Sequence, residues 1–361
     1  MIIPELPSFL TTLGGAEYKG FIISLFTLTA GLSRPISGKL ADTIGRVPVI
    51  MFGTIVCIIC SLFYPILSTV GGFMLLRLFH GFSTGFTPTA MTAYVADIVP
   101  VHRRGEAMGI IGVSLNVGSS IGPPVGSQLV IWYSLNTMFM ASSLVAVLSM
   151  LLLIGIKETL PNKQLLRLSH LRLKKSEIIH KNSIIPAIIC GLIYLGLGGL
   201  ITIGPDQSEF LGVMNKGLFF TSFTVCTILS RLVAGKFSDI YGRVKVIAVS
   251  VVLMVLSYIL LSMANSSVSL LVATGFLGFS LGIAAPAIFA WTIDRSNDLN
   301  RGKAMATVYI GLEVAIGSGA LLSAFVYDNT PENFETVFLI MAGITSLAIV
   351  FLWKELRRSS Q

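Results

Sequence analysis

The chain has 361 residues, of which 54% are apolar and 12% charged, and its mean hydropathy is +0.85. Soluble domains carry about 25% charged residues, so this composition excludes a soluble enzyme, a disordered protein and a nucleic-acid-binding protein. The net charge of +8 must therefore be explained by a membrane and not by nucleic acid.

About 20 apolar residues cross the hydrocarbon core of a bilayer, and a span with its connection takes about 30, so the chain has room for about twelve spans. Eleven apolar segments follow one another, at residues 18–37, 47–67, 73–99, 107–132, 136–156, 184–204, 217–234, 244–264, 268–291, 304–326 and 336–353. Backbone groups in lipid must be satisfied internally, and no strand alternation is present. The segments predict an all-α integral membrane protein.

Lysine and arginine are concentrated in every second connection, which predicts that these connections and the C-terminus are cytoplasmic. The longest connection, residues 157–183, carries seven basic residues against Glu158 and Glu177. It either binds anionic lipid or links two bundles, and we favour the linker because its charge already obeys the orientation rule. Three acidic residues fall at the opposite, outer helix ends, where we expect them to be solvated: Glu5, Asp206 and Glu209.

The strongest pattern in the sequence is an internal repeat. Residues 33–47 recur at 230–244, so that Ser33-Arg34 corresponds to Ser230-Arg231 with an offset of 197 residues. The same offset relates further charged positions: Lys19 to Lys216, Asp97 to Asp294 and Arg104 to Arg301. Two halves with the same membrane orientation are typical of secondary transporters that move around a site at the bilayer midplane.

The repeat divides the chain into an N-terminal helical bundle (1–156), a basic cytoplasmic linker (157–183) and a C-terminal helical bundle (184–361). Segment 184–204 then needs a counterpart before Lys19, where only Pro4-Glu5-Leu6-Pro7 and its neighbours are available. We expect eleven full spans plus a stub of the first helix. Either translation begins upstream of Met1 or most of one helix is absent, and we favour the upstream start because the later motifs are intact.

Four motifs carry a resemblance to a known family. Gly38-x-Leu40-Ala41-Asp42-x-x-Gly45-Arg46 is similar to the signature loop between helices two and three of the major facilitator superfamily, and residues 235–243 resemble its counterpart between helices eight and nine. Arg77-x-x-His80-Gly81 resembles the motif of the fourth helix, which more often has Gln before the glycine. The resemblance covers nearly the whole chain and implies two pseudo-symmetric six-helix bundles.

The resemblance implies that the signature loop is a latch between the bundles on the cytoplasmic side. Asp42 is suited to the positive end of a helix, and Arg46 to a carboxylate such as Asp97. The alternative is that these residues only form a turn and obey the positive-inside rule. This explains one copy of the loop, but it less readily explains why the loop recurs in the second half. The latch residues that we expect are Gly38, Asp42, Gly45, Arg46 and Asp97, with Gly235, Asp239 and Arg243 in the second half.

The fourth motif, Gly109-x8-Gly118-x3-Gly122-Pro123-x2-Gly126, resembles the fifth-helix motif of drug:proton antiporters. It departs from that pattern at Ser127, where a second glycine is usual. Glycines at this spacing leave one helix face bare, which allows a helix of the other half to approach, and Pro123-Pro124 is expected to kink or break the helix. Generic small-residue packing is the alternative to an occluding, leak-limiting role.

Charged residues inside the spans are the candidates for proton coupling and for the substrate cavity, because they are costly there. Glu313 lies mid-segment with no basic residue in its own span, and burial favours the protonated form of a lone carboxylate. Asn116 holds the matching position in the first half, so we expect the two to face each other; a structural hydrogen bond is the rival role for Glu313. Arg77 and His80 share a helix face. Arg77 either pairs inside the cavity or snorkels outwards, and His80 either titrates in the working pH range or is a polar lining residue without proton traffic.

We expect a secondary active transporter that works by alternating access, with a small-molecule substrate, protons and the lipid bilayer as partners. Proton-coupled export of drugs or metabolites is the leading prediction, and a nutrient symporter or a transport-inactive sensor or scaffold is the alternative. No phosphate-binding loop is present, and Cys57-x-x-Cys60, whose spacing could suggest zinc, has no second pair, so we expect no enzymatic activity, cofactor or metal. The resemblance implies a monomer in the plasma membrane.

Overall fold

The computed structural model describes residues 1–100, 104–160, 163–167, 179–296 and 301–359. Within these ranges, the surroundings of the side chains at 96, 104–109, 232–236, 301–303 and 358–359 are outside the description. The described chain folds into helices joined by short connections, and it contains no strand.

Twelve α-helices follow one another in the described part of the chain. They are α1 (Leu6–Thr12), α2 (Lys19–Thr43), α3 (Arg46–Phe63), α4 (Val70–Ile98), α5 (Arg104–Trp132), α6 (Leu135–Leu151), α7 (Ile184–Phe210), α8 (Leu218–Tyr241), α9 (Arg243–Ser262), α10 (Ser267–Asp294), α11 (Arg301–Tyr327) and α12 (Phe334–Ser359). Short 3₁₀ turns precede α1, α2, α7 and α12 and follow α3. The fold is the all-helical membrane fold that the sequence predicts.

Helices α2 to α12 coincide with the eleven apolar segments. Seven of them are long and apolar enough to cross a membrane by length and composition alone, whereas Leu135–Leu151 and Leu218–Arg231 are apolar but shorter. The count of eleven full spans therefore stays a prediction. Polar side chains cap the N-termini of α4 and α10: the Thr69 hydroxyl accepts from the Gly72 N–H, and Ser266 forms a capping box with Ser269.

The N-terminal residues form the short segment that the stub prediction requires. A 3₁₀ turn, Ile3–Glu5, runs into α1, whose Leu6 and Leu10 are fully buried. The Phe9 ring meets those of Phe73 and Phe139 edge-on. Residues 1–12 are thus an integral part of the first half's core.

Each half, α1–α6 and α7–α12, has its own apolar core. The core of the second half is continuous through its six helices. Two smaller clusters lie mainly in the first half: one around Leu6, Tyr64 and Phe139, which also includes Ala320 of α11, and another around Leu40, Ile50 and Phe86. We name the two faces of the molecule by residues that lie at them, the Lys19 end and the Arg46 end.

Two helix pairs join the halves: α2 packs against α11, and α5 against α8. Glycines allow close approach, since a Cβ on Gly20 would come 2.9 Å from the Ala320 carbonyl oxygen, and one on Gly217 would come 2.4 Å from the Pro123 carbonyl carbon. Both contacts lie towards the Lys19 end, so the halves are in close contact there.

Candidate functional site

The signature loop forms the same ion-pair cluster in both halves. Arg46 pairs with Asp42 one turn before it and with Asp97 at the end of α4, where Nε lies 3.1 Å from Oδ2. In the second half Arg243 pairs with Asp239 and, at 3.3 Å, with Asp294. The expected pair of Arg46 with Asp97 is present, and the ion pairs described for each cluster join helices of one half.

The remaining latch residues fill structural roles. Gly45 ends α2 with φ +124°, and Gly242 ends α8 with φ +89°, both in the region that favours glycine. Gly38 contacts the Thr89 methyl group at 3.9 Å, measured from an added Cβ. Gly235 lies in α8, and its surroundings are outside the described residues. The role of these residues as a latch stays a prediction.

Sequence reasoning missed Glu158, which caps α3 from the start of the linker. Its carboxylate accepts hydrogen bonds from the backbone N–H groups of Arg46 (2.9 Å) and Val47 (3.0 Å). Partial burial opposes the charged form, but the backbone N–H groups of Leu160, Arg46, Val47 and Thr159 outweigh it and lower the pKa of Glu158. The signal was available, because an acidic residue at a helix N-terminus is favourable.

The linker attaches to the first half at two further points. The Thr159 hydroxyl donates to the Asp97 carboxylate at 2.7 Å, and the Gln164 N–H donates to the Thr43 carbonyl at 2.8 Å. At its other end, the His180 N–H donates to the Thr307 hydroxyl of α11. The linker's middle, including residues 168–178, lies outside the described residues.

Arg77 is buried in the first half, with 2% of its surface exposed. Its Nε donates to the Ile22 carbonyl (2.7 Å), its Nη1 lies 3.2 Å from the Tyr64 hydroxyl, and its guanidinium stacks over Phe26. His80 joins the cluster through its Nδ1, 3.1 Å from the same hydroxyl. Arg77 does not snorkel outwards; no carboxylate pairs with it among the described residues.

Glu313 is not a lone carboxylate, which corrects the expectation from sequence. Arg34 of α2 approaches it from the other half, with Nη2 at 2.6 Å and Nε at 3.0 Å from Oε1. Glu313 is 6% exposed, and Arg34 also stacks over Tyr309. Arg34 lies on another helix, 279 residues earlier in the sequence, so the residues of the α11 span alone do not reveal this partner.

The two charged clusters are separate sites. Arg77 bonds to α2 at Ile22, whereas Glu313 meets α2 at Gly31, where an added Cβ would lie 3.2 Å from the Glu313 Cβ. Nine residues of helix separate these points, about 13.5 Å along the axis. Glu313 also lines an apolar groove of about 470 Å³ between α2 and α11, of which it is the only charged lining residue among those described.

The glycine face of α5 does not meet the other half as expected. Added Cβ atoms on Gly122 and Gly126 would approach Met1, at 3.3 Å from its nitrogen and 2.2 Å from its oxygen. Gly118 has open space, and the surroundings of Gly109 are outside the described residues. Ser127, at the departure from the family pattern, donates to the buried Glu5 carboxylate at 2.6 Å. The bare face serves contacts within the first half.

The prolines of α5 form the contact with the other half instead. The helix runs unbroken through Pro123 and Pro124, so of the two expected outcomes the break is absent and the kink stays a prediction. Proline has no N–H, and Pro124 therefore leaves the carbonyl four residues earlier, that of Ser120, without its helical donor. The Thr221 hydroxyl of α8 donates to this carbonyl at 2.8 Å. The proline thus makes an acceptor available to the other half.

Asn116 does not contact Glu313, whose carboxylate is taken by Arg34. It lies on α5, and its Nδ2 is buried without a hydrogen-bond partner in the part of the chain that is described. No hydrogen bond joins the two matched residues in the described part of the chain, and the expectation that they face each other stays a prediction.

Acidic residues at the Lys19 end are less solvated than expected. Asp206 of α7 forms an ion pair with Lys19 of α2, and both side chains are largely buried. Lys216 pairs with Glu209 and also donates to the Ser8 hydroxyl at 2.8 Å. Glu5 is 5% exposed, and only Glu209 is solvated. Lys19 and Lys216, related by the repeat, each reach across to the other half.

These features define a class of protein. Two repeated helical halves meet along α2–α11 and α5–α8, are closed at the Lys19 end, and enclose charged residues at mid-helix. This is the architecture of a secondary active transporter, in which two repeats rock around a central site.

Comparisons with known proteins agree. The model of the Major Facilitator Superfamily matches residues 1–210 and 187–361, and the chain belongs to this family. It is 24% identical to "Multidrug resistance protein 2" of Bacillus subtilis (strain 168), covering 98% of this chain and 91% of the relative. It is also 24% identical to "Multidrug resistance protein MdtG" of Salmonella paratyphi C (strain RKS4594), over 99% and 91%. The D-xylose-proton symporter has the same fold, with a TM-score of 0.81 at 16% identity, over 98% and 93% of the two chains.

Proposed function

We propose that the protein exports small organic molecules in exchange for protons, and that Glu313 is the residue that binds the transported proton. The pair of Glu313 with Arg34 carries this proposal, because it is a carboxylate and a guanidinium from opposite halves, 2.6 Å apart and largely out of water. The names of the two relatives, both multidrug resistance proteins, support export.

Protonation of Glu313 changes the balance of forces between the halves. With Glu313 charged, the ion pair joins α2 to α11; with Glu313 neutral, Arg34 is left with a weaker partner. Removing one charge of a buried pair costs about 3–5 kcal/mol. A ligand shifts a conformational equilibrium by its differential affinity for the two states, so a proton at this site is able to drive α2 and α11 apart.

The same proposal assigns roles to the other candidate residues. The Arg46 and Arg243 clusters act as a latch at the cytoplasmic ends of the halves, and the cluster of Arg77 and His80 stabilises the cavity wall. The Arg46 end, the linker and the C-terminus are cytoplasmic, so the contacts at the Lys19 end close the outer side. We further propose that the carrier is a monomer in the plasma membrane, with bundles 1–156 and 184–361, and that it has no enzymatic activity.

Efflux measurements test export directly. Cells depleted of their own exporters and producing this protein are loaded with a panel of fluorescent organic dyes, with and without a protonophore. We expect protonophore-sensitive efflux of at least one dye. Glu313→Gln should abolish it at normal protein levels in the membrane, whereas Glu209→Gln, a change at an exposed pair, should not.

Two other functions give different results in membrane vesicles. A nutrient symporter moves its substrate in the direction of an imposed proton gradient, whereas the proposed exporter moves it against that direction. A transport-inactive sensor or scaffold binds a ligand and shows no proton-linked flux.

A further inference from the structure

The repeat gives the pair of Arg34 with Glu313 a counterpart in which the carboxylate is missing. The offset of 197 residues places Arg231 of α8 where Arg34 lies in α2, and it places Asn116 of α5 where Glu313 lies in α11. Arg34 is therefore neutralised by the Glu313 carboxylate, whereas the position in the first half that matches Glu313 holds the neutral amide of Asn116.

The two interfaces share the same register. In α2–α11, an added Cβ on Gly317 would lie 3.5 Å from the Ser24 Cα. The offset turns this pair into Ser120 and Thr221, which are joined in α5–α8 by a hydrogen bond of 2.8 Å. Because the register is the same, Arg231 and Asn116 occupy the same relative positions along α8 and α5 as Arg34 and Glu313 occupy along α2 and α11.

Both residues of the second pair present unused donors. The Arg231 Nε and the Asn116 Nδ2 are buried and have no hydrogen-bond partner among the described residues, and no ion pair to Arg231 is found there. Buried donors are normally satisfied, so each such group calls for an explanation. Tyr194 of α7 and Tyr309 of α11 interact electrostatically with Arg231 and add two hydroxyls to its surroundings.

The geometry points to an anion site: we infer that Arg231, with Asn116 beside it, binds the acidic group of an organic anion such as a carboxylate. This deepens the proposed function, on which it rests, by naming the substrate class. A guanidinium presents a fork of N–H donors that matches two oxygens of a carboxylate, and an amide N–H adds a third donor.

The charges around the cavity argue against a cation at this place. Glu313, the carboxylate at the position matched to Asn116, is already paired with Arg34. Arg77 lies in the first half, where its guanidinium contacts a carbonyl, a hydroxyl and an aromatic ring. Arg231 is thus the cation whose donors remain available to a substrate in the described part of the chain.

Equilibrium binding of two dyes with the same ring system tests the inference. Fluorescein is anionic and rhodamine 123 is cationic, and the anisotropy of each dye is measured against the detergent-solubilised full-length carrier. Because charge-assisted hydrogen bonds are the strong ones, we expect Arg231→Gln to weaken fluorescein binding at least about tenfold. Arg231→Lys should retain part of it, and rhodamine 123 binding should not weaken in either variant.

A second variant creates the missing carboxylate. Asn116→Asp reproduces the pair of Arg34 with Glu313 in the other half, so it should occupy Arg231 and weaken fluorescein binding as Arg231→Gln does. Gel filtration and unchanged binding of rhodamine 123 show that the variants fold. The inference is overturned if wild-type carrier does not bind fluorescein, or if both variants bind it as wild type does.

Failure of this inference is separable from failure of the proposed function. Binding in detergent needs no turnover, so it reports on Arg231 even in a carrier that does not transport. Proton-linked dye efflux without charge preference or dependence on Arg231 refutes the anion site alone, and anion binding without any proton-linked flux refutes the transport proposal alone.

Discussion

Gly45 and Gly242 occupy matching positions in the two repeats, but only Gly45 lies close to another side chain, that of Glu158. An added Cβ on Gly45 would come 2.4 Å from the Glu158 Oε2, whereas one on Gly242 would meet nothing within 4 Å. Both backbones combine positive φ with extended ψ, a conformation essentially restricted to glycine that costs another residue about 1–3 kcal/mol. The repeat is therefore symmetric in backbone and asymmetric in its contacts with the linker.

This asymmetry predicts different costs for the same substitution. Gly242→Ala should lower the melting temperature of the purified protein by the backbone strain alone. Gly45→Ala should lower it further, because the Glu158 carboxylate has to leave the end of α3. Thermal unfolding of the two variants in one detergent checks the order, and equal losses would show that the contact with Glu158 contributes nothing.

The cap at Glu158 also predicts a pH dependence. Its pKa in the folded protein is lowered from the ordinary value of 4.5, so its contribution to stability is present above that value and is lost as the pH falls through the folded pKa. Glu158→Gln keeps an oxygen that accepts from the backbone N–H groups but loses the charge, so it should cost about 0.3–1 kcal/mol at pH 7, the range for a charge at a helix end. The difference in melting temperature between wild type and variant should shrink below pH 4.5; a constant difference would exclude the charged cap.

At the level of single residues, the charged candidates could be identified from the sequence, but most of the residues that they pair with could not. Arg46 and Asp97 could be paired because the family resemblance and the repeat both place them at one membrane face. Arg34 could not be assigned to Glu313, since that contact depends on how the two halves pack. The same holds for Ser127 and Glu5, which meet only after α1 has docked on α5.

At the level of helices, the sequence predicted well because hydrophobic length and the positive-inside pattern are local. The segment at residues 184–204 became α7, which extends a further turn and more to Phe210 through Pro205. Helix α5 shows the limit of such reasoning. Its prolines suggested a break, yet the helix continues because the carbonyl freed by Pro124 has a donor on α8.

Helix packing predicts that two glycines of the bundle interface differ sharply. Gly217→Ala should force α5 and α8 apart, because its Cβ would lie 2.4 Å from backbone atoms at Pro123. Gly118→Ala, in the predicted packing motif, should be tolerated, because nothing lies within 4 Å of its Cβ. Cysteines placed at Ser120 and Thr221 report the separation: their crosslinking yield should fall with Gly217→Ala and stay unchanged with Gly118→Ala. Equal yields would show that Gly217 does not set the approach of the helices.

At the level of the whole molecule, the halves meet at the Lys19 end and, further along α2 and α11, at the pair of Arg34 with Glu313. At the Lys19 end the largely buried ion pair is that of Lys19 with Asp206, so its loss should favour separation of the halves there. Spin labels at Thr12, the last residue of α1, and at Met214, between α7 and α8, measure this distance by pulsed electron resonance. Lys19→Met should lengthen and broaden the distance distribution.

Glu209→Gln is the matched control for that experiment. It removes an ion pair within the second half whose carboxylate is 62% exposed, and such surface pairs contribute little. Its distance distribution should equal that of the wild type. A Lys19→Met distribution that also matches wild type would mean that the buried pair does not hold the halves together.

The proposed exchange of substrate for protons depends most on Glu313 as the residue that binds the transported proton. Proteoliposomes containing the purified carrier, a transported dye and an internal pH-sensitive fluorophore measure dye and proton movement together. We predict that wild type couples dye flux to opposite proton flux with a marked pH dependence, and that Glu313→Gln loses both the proton flux and the pH dependence while still binding dye. Proton-coupled transport with the wild-type pH response in Glu313→Gln would contradict the account.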